Sequence, residues 1–241
     1  LPEAELEKLL DPSVKVFCLV NPSNPPSSKQ PQAVLDLLSE LVAKERPDLI
    51  IITDDVYATF ADDFVSVFAA CPRNTLCVYS FSKYFGATGW RLGTIALHRQ
   101  NVIDDLLQDL PRTEKDRLEA RYSSLTADVP GLKFIDRLVA DSRSVALNHT
   151  AGLSGPQQLQ MVLFALHGLM DRLDRYQDAA KALVRGRYAT LYRSMGVAPE
   201  PQPDDVGYYS LIDLRKLGGQ LYGEEFREWL ASRPDLGMRF L

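Results

Sequence analysis

Four short runs rich in β-branched and apolar residues constrain this chain most: VKVFCLV (14–20), DLIIIT (48–53), NTLCVYS (74–80) and GTIALH (93–98). The first is almost continuously apolar, as a strand covered on both faces requires. The segments between them include turn-rich and helical stretches. NPSNPPSS (21–28) is a loop of turn-forming residues. PQAVLDLLSELVAK (31–44) then places Val34, Leu37, Leu38, Leu41 and Val42 at helical spacing behind Pro31. Strands separated by helical or long crossover segments predict an α/β fold, a parallel-rich sheet with helices on both faces.

Downstream the pattern changes. Residues 101–150 are polar and charge-rich, with short helical patterns such as NVIDDLLQDL, and read as an insertion or interface element. Residues 156–195 form one long helical pattern that is expected to bend at Gly168 or around Asp171–Asp174. VGYYSLIDL (206–214) reads as a further strand and GEEFREWLAS as a helix. The expected division is a large domain over 1–185 and the start of a smaller α+β domain over 186–241. The chain begins at Leu1 and ends in GMRFL, which reads as part of a strand, so both ends read as cut and the 241 residues are expected to be inactive alone.

Composition narrows the function. The formal net charge of −5 offers no basic field for nucleic acid or an anionic membrane surface. No apolar run approaches the roughly 20 residues of a membrane span. Three cysteines without metal-ligand spacing, and only three scattered histidines, give a metal site nothing to build on and suit a reducing, cytoplasmic setting.

Polar clusters occupy the expected strand ends: Asn21–Asn24, Asp54–Tyr57 and Ser80–Lys83. Ligands of open α/β sheets bind at such ends. Together these residues match the needs of pyridoxal 5'-phosphate. Lys83 supplies the amine that attaches the cofactor and shuttles a proton. Asp54 supplies a carboxylate for the pyridinium nitrogen, and Tyr57 and Asn24 supply donors for the ring oxygen. Ser80, Ser82 and Arg91 supply hydroxyls and a cation for the phosphate. Gly86 and Gly89 let the backbone loop tightly between Lys83 and Arg91. Tyr84 and Phe85 read as packing residues, and Trp90 as packed beneath the loop.

The sequence resembles fold-type I pyridoxal-phosphate enzymes of the aspartate aminotransferase superfamily. NPSNPP resembles the Asn-Pro-x-Asn-Pro loop, DDVY the Asp-x-x-Tyr motif, and SFSKYFGATGWRLG the Ser-x-x-Lys and Gly-x-Arg-x-Gly motifs. One departure stands out: the family loop continues Pro-Thr-Gly, where this chain has Pro25-Pro26-Ser27. With TDDVYATFADDFVS and the polar segment 101–150, the sequence is most similar to the bacterial aspartate 4-decarboxylase subgroup.

The resemblance implies a homodimer or larger assembly that converts L-aspartate to L-alanine and CO2, with side aminotransferase activity. A plain aspartate or broad-range aminotransferase is the alternative, and a non-catalytic family member a remote one. It also implies that the phosphate-cradling turn and ring-stacking aromatic lie upstream of these residues, and the α-carboxylate arginine downstream, with Arg239 too early to be it. Arg143 stands roughly where aspartate-specific members place the arginine for the side-chain carboxylate, and a solvated helix-end arginine is the competing reading. His149 falls in a segment resembling a dimer interface, where capping or packing is expected.

Overall fold

The computed structural model describes residues 1–144, 152–199 and 201–233. His149, Arg239 and the expected carboxyl-terminal strand lie outside the described residues. Four strands form one sheet: β1 (Val16–Val20), β2 (Ile50–Asp54), β3 (Thr75–Ser80) and β4 (Gly93–Leu97), in the order β1-β2-β3-β4. β1, β3 and β4 fall within the runs that the sequence marks, and β2 extends one residue past its run, to Asp54. β1, β2 and β3 are parallel, and β4 returns antiparallel with Ser80 opposite Gly93. The chain makes this return through residues 81–92, which bring β4 back beside β3. A Cβ on Gly93 would stand 3.1 Å from the Tyr79 carbonyl, so this pairing favours glycine.

The short helix α1 (Glu3–Glu7) and α2 (Gln32–Lys44) cover one sheet face, with α3 (Val67–Ala70) beside them. Leu35, Leu38 and Val42 of α2 repeat at helical spacing and pack with Leu6, Leu9 and Ile51. Phe17 and Leu19 of β1 point into the same cluster. The alternation of strand side chains sends Val16, Val20 and Ile95 to the opposite face, where they are exposed. Below the sheet, the buried Arg46 donates to the carbonyls of Asp11 (2.6 Å) and Val14 (2.7 Å) and pairs with Asp48 at 2.9 Å, tying α1's end to β1's entry.

β3 runs into the one-turn helix α4 (Phe81–Tyr84). The polar stretch after β4 folds as α5 (Val102–Gln108), α6 (Arg112–Tyr122) and α7 (Phe134–Ser144). The long helical pattern is two helices, α8 (Gly155–Met170) and α9 (Arg175–Met195). They break at Asp171–Asp174, where Asp174 has φ 50° and the Asp171 carboxylate accepts the Tyr176 N–H at 2.8 Å. Gly168 lies inside α8. The division expected at 185/186 falls inside α9.

The strand expected over 206–214 is corrected. The segment is irregular, with Gly207 at φ 70° and a bend at Tyr208–Tyr209; the one bridge nearby pairs Ser28 with Asp205, just before it, and α10 (Leu214–Tyr222) begins where the strand was to end. The N–H groups of Val206, Tyr208 and Tyr209 go to Ser27 rather than to a neighbouring strand. The expected carboxyl-terminal helix is α11 (Glu224–Ala231).

Candidate active site

Because β1, β2 and β3 are parallel, their carboxyl ends open on one edge of the sheet. Val20 lies beside Asp54, and Asp54 beside Val78, two residues before Ser80. The backbone continues this alignment past the strands: Asn21 N–H donates to Asp54 O and Asp55 N–H to Val78 O, each at 2.9 Å. The three polar clusters therefore share one edge.

Asn24 and Tyr57 meet directly. Asn24 Nδ2 donates to the Tyr57 hydroxyl at 3.2 Å, and the same hydroxyl lies 2.8 Å from that of Tyr209. The Tyr208 ring stands 5.0 Å from that of Tyr57. Burial, reinforced by the Tyr209 hydrogen bond, pushes the Tyr57 phenol well above its ordinary range, so it keeps its proton at neutral pH.

The adjacent carboxylates separate into two environments. Asp55 is buried, accepting Thr53 Oγ1 at 2.7 Å, Cys77 Sγ at 3.5 Å and the Ser66 hydroxyl. Burial raises its pKa, partly offset by the hydroxyl donors. Asp54 is the more open of the two. Its Oδ1 accepts the Val56 N–H at 3.1 Å, and no cation pairs with it among the described residues.

Ser80 ends β3 and caps α4, its Oγ accepting the Ser82 N–H at 3.2 Å and donating to Ser82 Oγ at 2.8 Å. Lys83 is half-buried on that turn, and its amine has no hydrogen-bond or ion-pair partner among the described residues. Gly86, at φ 62°, needs glycine's freedom, whereas Gly89 does not. Arg91 is itself left-handed at φ 55°, and its exposed guanidinium donates to Thr88 O at 3.1 Å. Phe85 stacks on Phe164 with ring centroids 4.3 Å apart, as expected of a packing residue. Trp90 is corrected: its side chain is 46% exposed, and α8 meets the loop at the backbone instead, Gln157 Nε2 donating to Trp90 O at 2.9 Å.

Arg143 stands exposed in the last turn of α7. That helix is tied to α5 and α6 through Asp104 with the Phe134 N–H (2.7 Å) and Asp141 with the Tyr122 hydroxyl (3.0 Å). Tyr208, Tyr209 and Ser27 are the site residues that sequence reasoning missed. The signal available was an aromatic pair after Gly207, in a segment that reads as a strand.

The donor set suits an anionic aromatic cofactor: a free amine, an open carboxylate, a protonated phenol beside an amide, two hydroxyls and an arginine. A parallel α/β edge carrying this set defines an aminotransferase-type chain. The chain belongs to the aminotransferase class I and II family, matching it over residues 3–217. It is 61% identical over 235 residues to the bifunctional aspartate aminotransferase and L-aspartate beta-decarboxylase of a Pseudomonas species, covering 98% of this chain and 44% of that protein. It is 36% identical over 95 residues to an aspartate/prephenate aminotransferase of Nitrosomonas europaea, covering 37% of this chain and 24% of that one. In fold it is similar to an aspartate aminotransferase of Thermus thermophilus with maleate, at TM-score 0.53 and 20% identity, over 81% of this chain and 42% of that one. The chain thus spans less than half the length of these relatives.

Proposed function

We propose that this chain forms the lysine-bearing part of a pyridoxal 5'-phosphate enzyme that removes the β-carboxylate of L-aspartate, giving L-alanine and CO2, with aminotransferase activity as a side reaction. One observation carries the reading. Among the described residues the Lys83 amine has no partner and the Asp54 carboxylate no cation, and both stand at the same sheet edge as the Asn24–Tyr57 pair, in a chain 61% identical to a protein named for both activities. The cofactor, when bound, supplies an aldehyde carbon for an amine and a ring that accepts electrons.

The chain's own residues do the rest. Lys83 holds the cofactor and, once displaced by the substrate amine, takes and returns the proton at the substrate α-carbon. Asp54 keeps the ring nitrogen protonated, which a neutral side chain cannot do. Tyr57 and Asn24 donate to the ring oxygen. Ser80, Ser82 and Arg91 hold the phosphate. Arg143 is proposed for the distal carboxylate from its place in the sequence alone. An ion pair that grips this carboxylate less tightly favours its loss as neutral CO2, because a tight pair stabilises the charged ground state more.

The large-domain assignment of 1–185 and the start of a small domain at 186 belong to the same proposal. So do a homodimer or larger assembly and a cytoplasmic setting. An exposed apolar row on α8, with Leu159, Val162, Leu166 and Leu169, supports the assembly. Three free cysteines support the setting. No helix among the described residues is long and apolar enough to cross a membrane.

The test is full-length protein supplied with aspartate and no 2-oxo acid. Alanine and CO2 over many turnovers support the decarboxylase. One stoichiometric turnover giving oxaloacetate and aminated cofactor would leave the aminotransferase.

A further inference from the structure

The Asn-Pro loop departs from the pattern it resembles at Pro26-Ser27, and the fold makes use of that departure. Ser27 is buried and adopts φ 59°, in the left-handed region that favours glycine. Its Oγ accepts the backbone N–H groups of Tyr208 at 2.9 Å and Tyr209 at 3.1 Å, and its carbonyl accepts that of Val206 at 2.8 Å. The neighbouring Lys29 N–H donates to Asp204 O at 2.9 Å. A segment 181 residues away in the chain is thereby pinned to the loop that carries Asn24. The pinned segment delivers the Tyr209 hydroxyl to within 2.8 Å of Tyr57.

Counting protons gives this contact a direction. The Tyr57 oxygen has one proton and two acceptor positions. Asn24 Nδ2 fills one acceptor position at 3.2 Å. A phenol offered both a neutral hydroxyl and an anionic ring oxygen donates to the anion, because charge-assisted hydrogen bonds are the stronger. Tyr209 must then donate into the second acceptor position. Two donors into the Tyr57 oxygen also polarise its O–H and strengthen the bond it gives away.

We propose that Ser27 is a positioning residue: by holding the Tyr208 and Tyr209 amides, it sets the Tyr209 hydroxyl to donate to Tyr57 and so strengthens the hydrogen bond that Tyr57 gives to the cofactor's ring oxygen. This rests on the pyridoxal phosphate reading above. Three variants of the full-length protein test it: Ser27→Gly, which suits the left-handed backbone and removes only the hydroxymethyl group, Tyr209→Phe, and the two combined. The readouts are the pH midpoint of the bound cofactor's visible absorbance and the dissociation constant for pyridoxal phosphate.

A donor to the ring oxygen reduces negative charge beside the cofactor-linked nitrogen of Lys83 and favours its neutral form, so a weakened donor raises the midpoint. Loss of one neutral hydrogen bond is worth about threefold to tenfold in an equilibrium. Tyr209→Phe weakens the Tyr57 donor without removing it, so it is expected to raise the midpoint by up to roughly 0.5 pH unit and to weaken cofactor binding by up to about threefold. Ser27→Gly moves both in the same direction by less, and adds nothing in the Tyr209→Phe background. The proposal is overturned if Ser27→Gly leaves both readouts at wild-type values, or if its effect persists undiminished without the Tyr209 hydroxyl. A wild-type protein that takes up no pyridoxal phosphate would instead refute the underlying reading, and the proposal with it.

Discussion

Replacing Asp55 by asparagine separates the two adjacent carboxylates of the DDVY motif. Three donors converge on the buried Asp55: Thr53 on Oδ1 at 2.7 Å, and Ser66 and Cys77 (3.5 Å) on Oδ2. An amide keeps one acceptor oxygen. If nitrogen replaces Oδ1, the Thr53 hydroxyl loses its acceptor; if it replaces Oδ2, Ser66 and Cys77 lose theirs. Either orientation forfeits at least one buried hydrogen bond, a cost of about 1–3 kcal/mol. The pH dependence has a definite sign. Burial raises the folded-state pKa of Asp55 above its ordinary value of 3.8. Its stabilising contribution is therefore complete below that ordinary value and is lost as pH rises through the folded one. Asparagine does not titrate, so the deficit of Asp55→Asn should shrink from acid toward neutral pH. The assay is urea denaturation of wild-type and variant full-length protein from just below the ordinary carboxylate value up to about pH 8. A deficit that grows with pH would show that the fold stabilises Asp55 as an anion, and the argument from burial would be wrong.

Asp54→Asn should do the reverse, leaving urea stability within about 0.5 kcal/mol of wild type and reducing turnover by orders of magnitude. Steady-state kinetics beside the same denaturation curves check both halves. Leu38→Ala opens a hole in the cluster under β1 and β2, where Leu38 is 1% exposed. It should cost about 2–5 kcal/mol of unfolding free energy with little change in the substrate Michaelis constant.

Much of the sheet was legible because its strands are local patterns: continuous apolar runs ending in turn residues. The α2 helix was legible through its apolar spacing, and the break between α8 and α9 through its aspartates. The antiparallel return of β4 was not, since pairing direction depends on where a strand lands rather than on its own residues. Residues 206–214 misled for a related reason. VGYYSLIDL has the composition of a strand, but the partner for its N–H groups is a serine far earlier in the chain. Lys83, Asp54, Tyr57 and Asn24 were readable because three short motifs carry them to strand ends. The contacts of Tyr209 and Ser27 were hidden because they join segments distant in the chain. Trp90 was misjudged because nothing in its own loop reports whether another element lies beneath it.

The most direct test of the account is chemical trapping at Lys83. Full-length protein loaded with pyridoxal phosphate, reduced with borohydride and digested, should yield one cofactor-labelled peptide carrying SFSKYF with the label on Lys83. Lys83→Ala should yield none. A label on another lysine, or no reducible attachment in protein that otherwise turns over aspartate, would contradict the assignment of this sheet edge as the cofactor site.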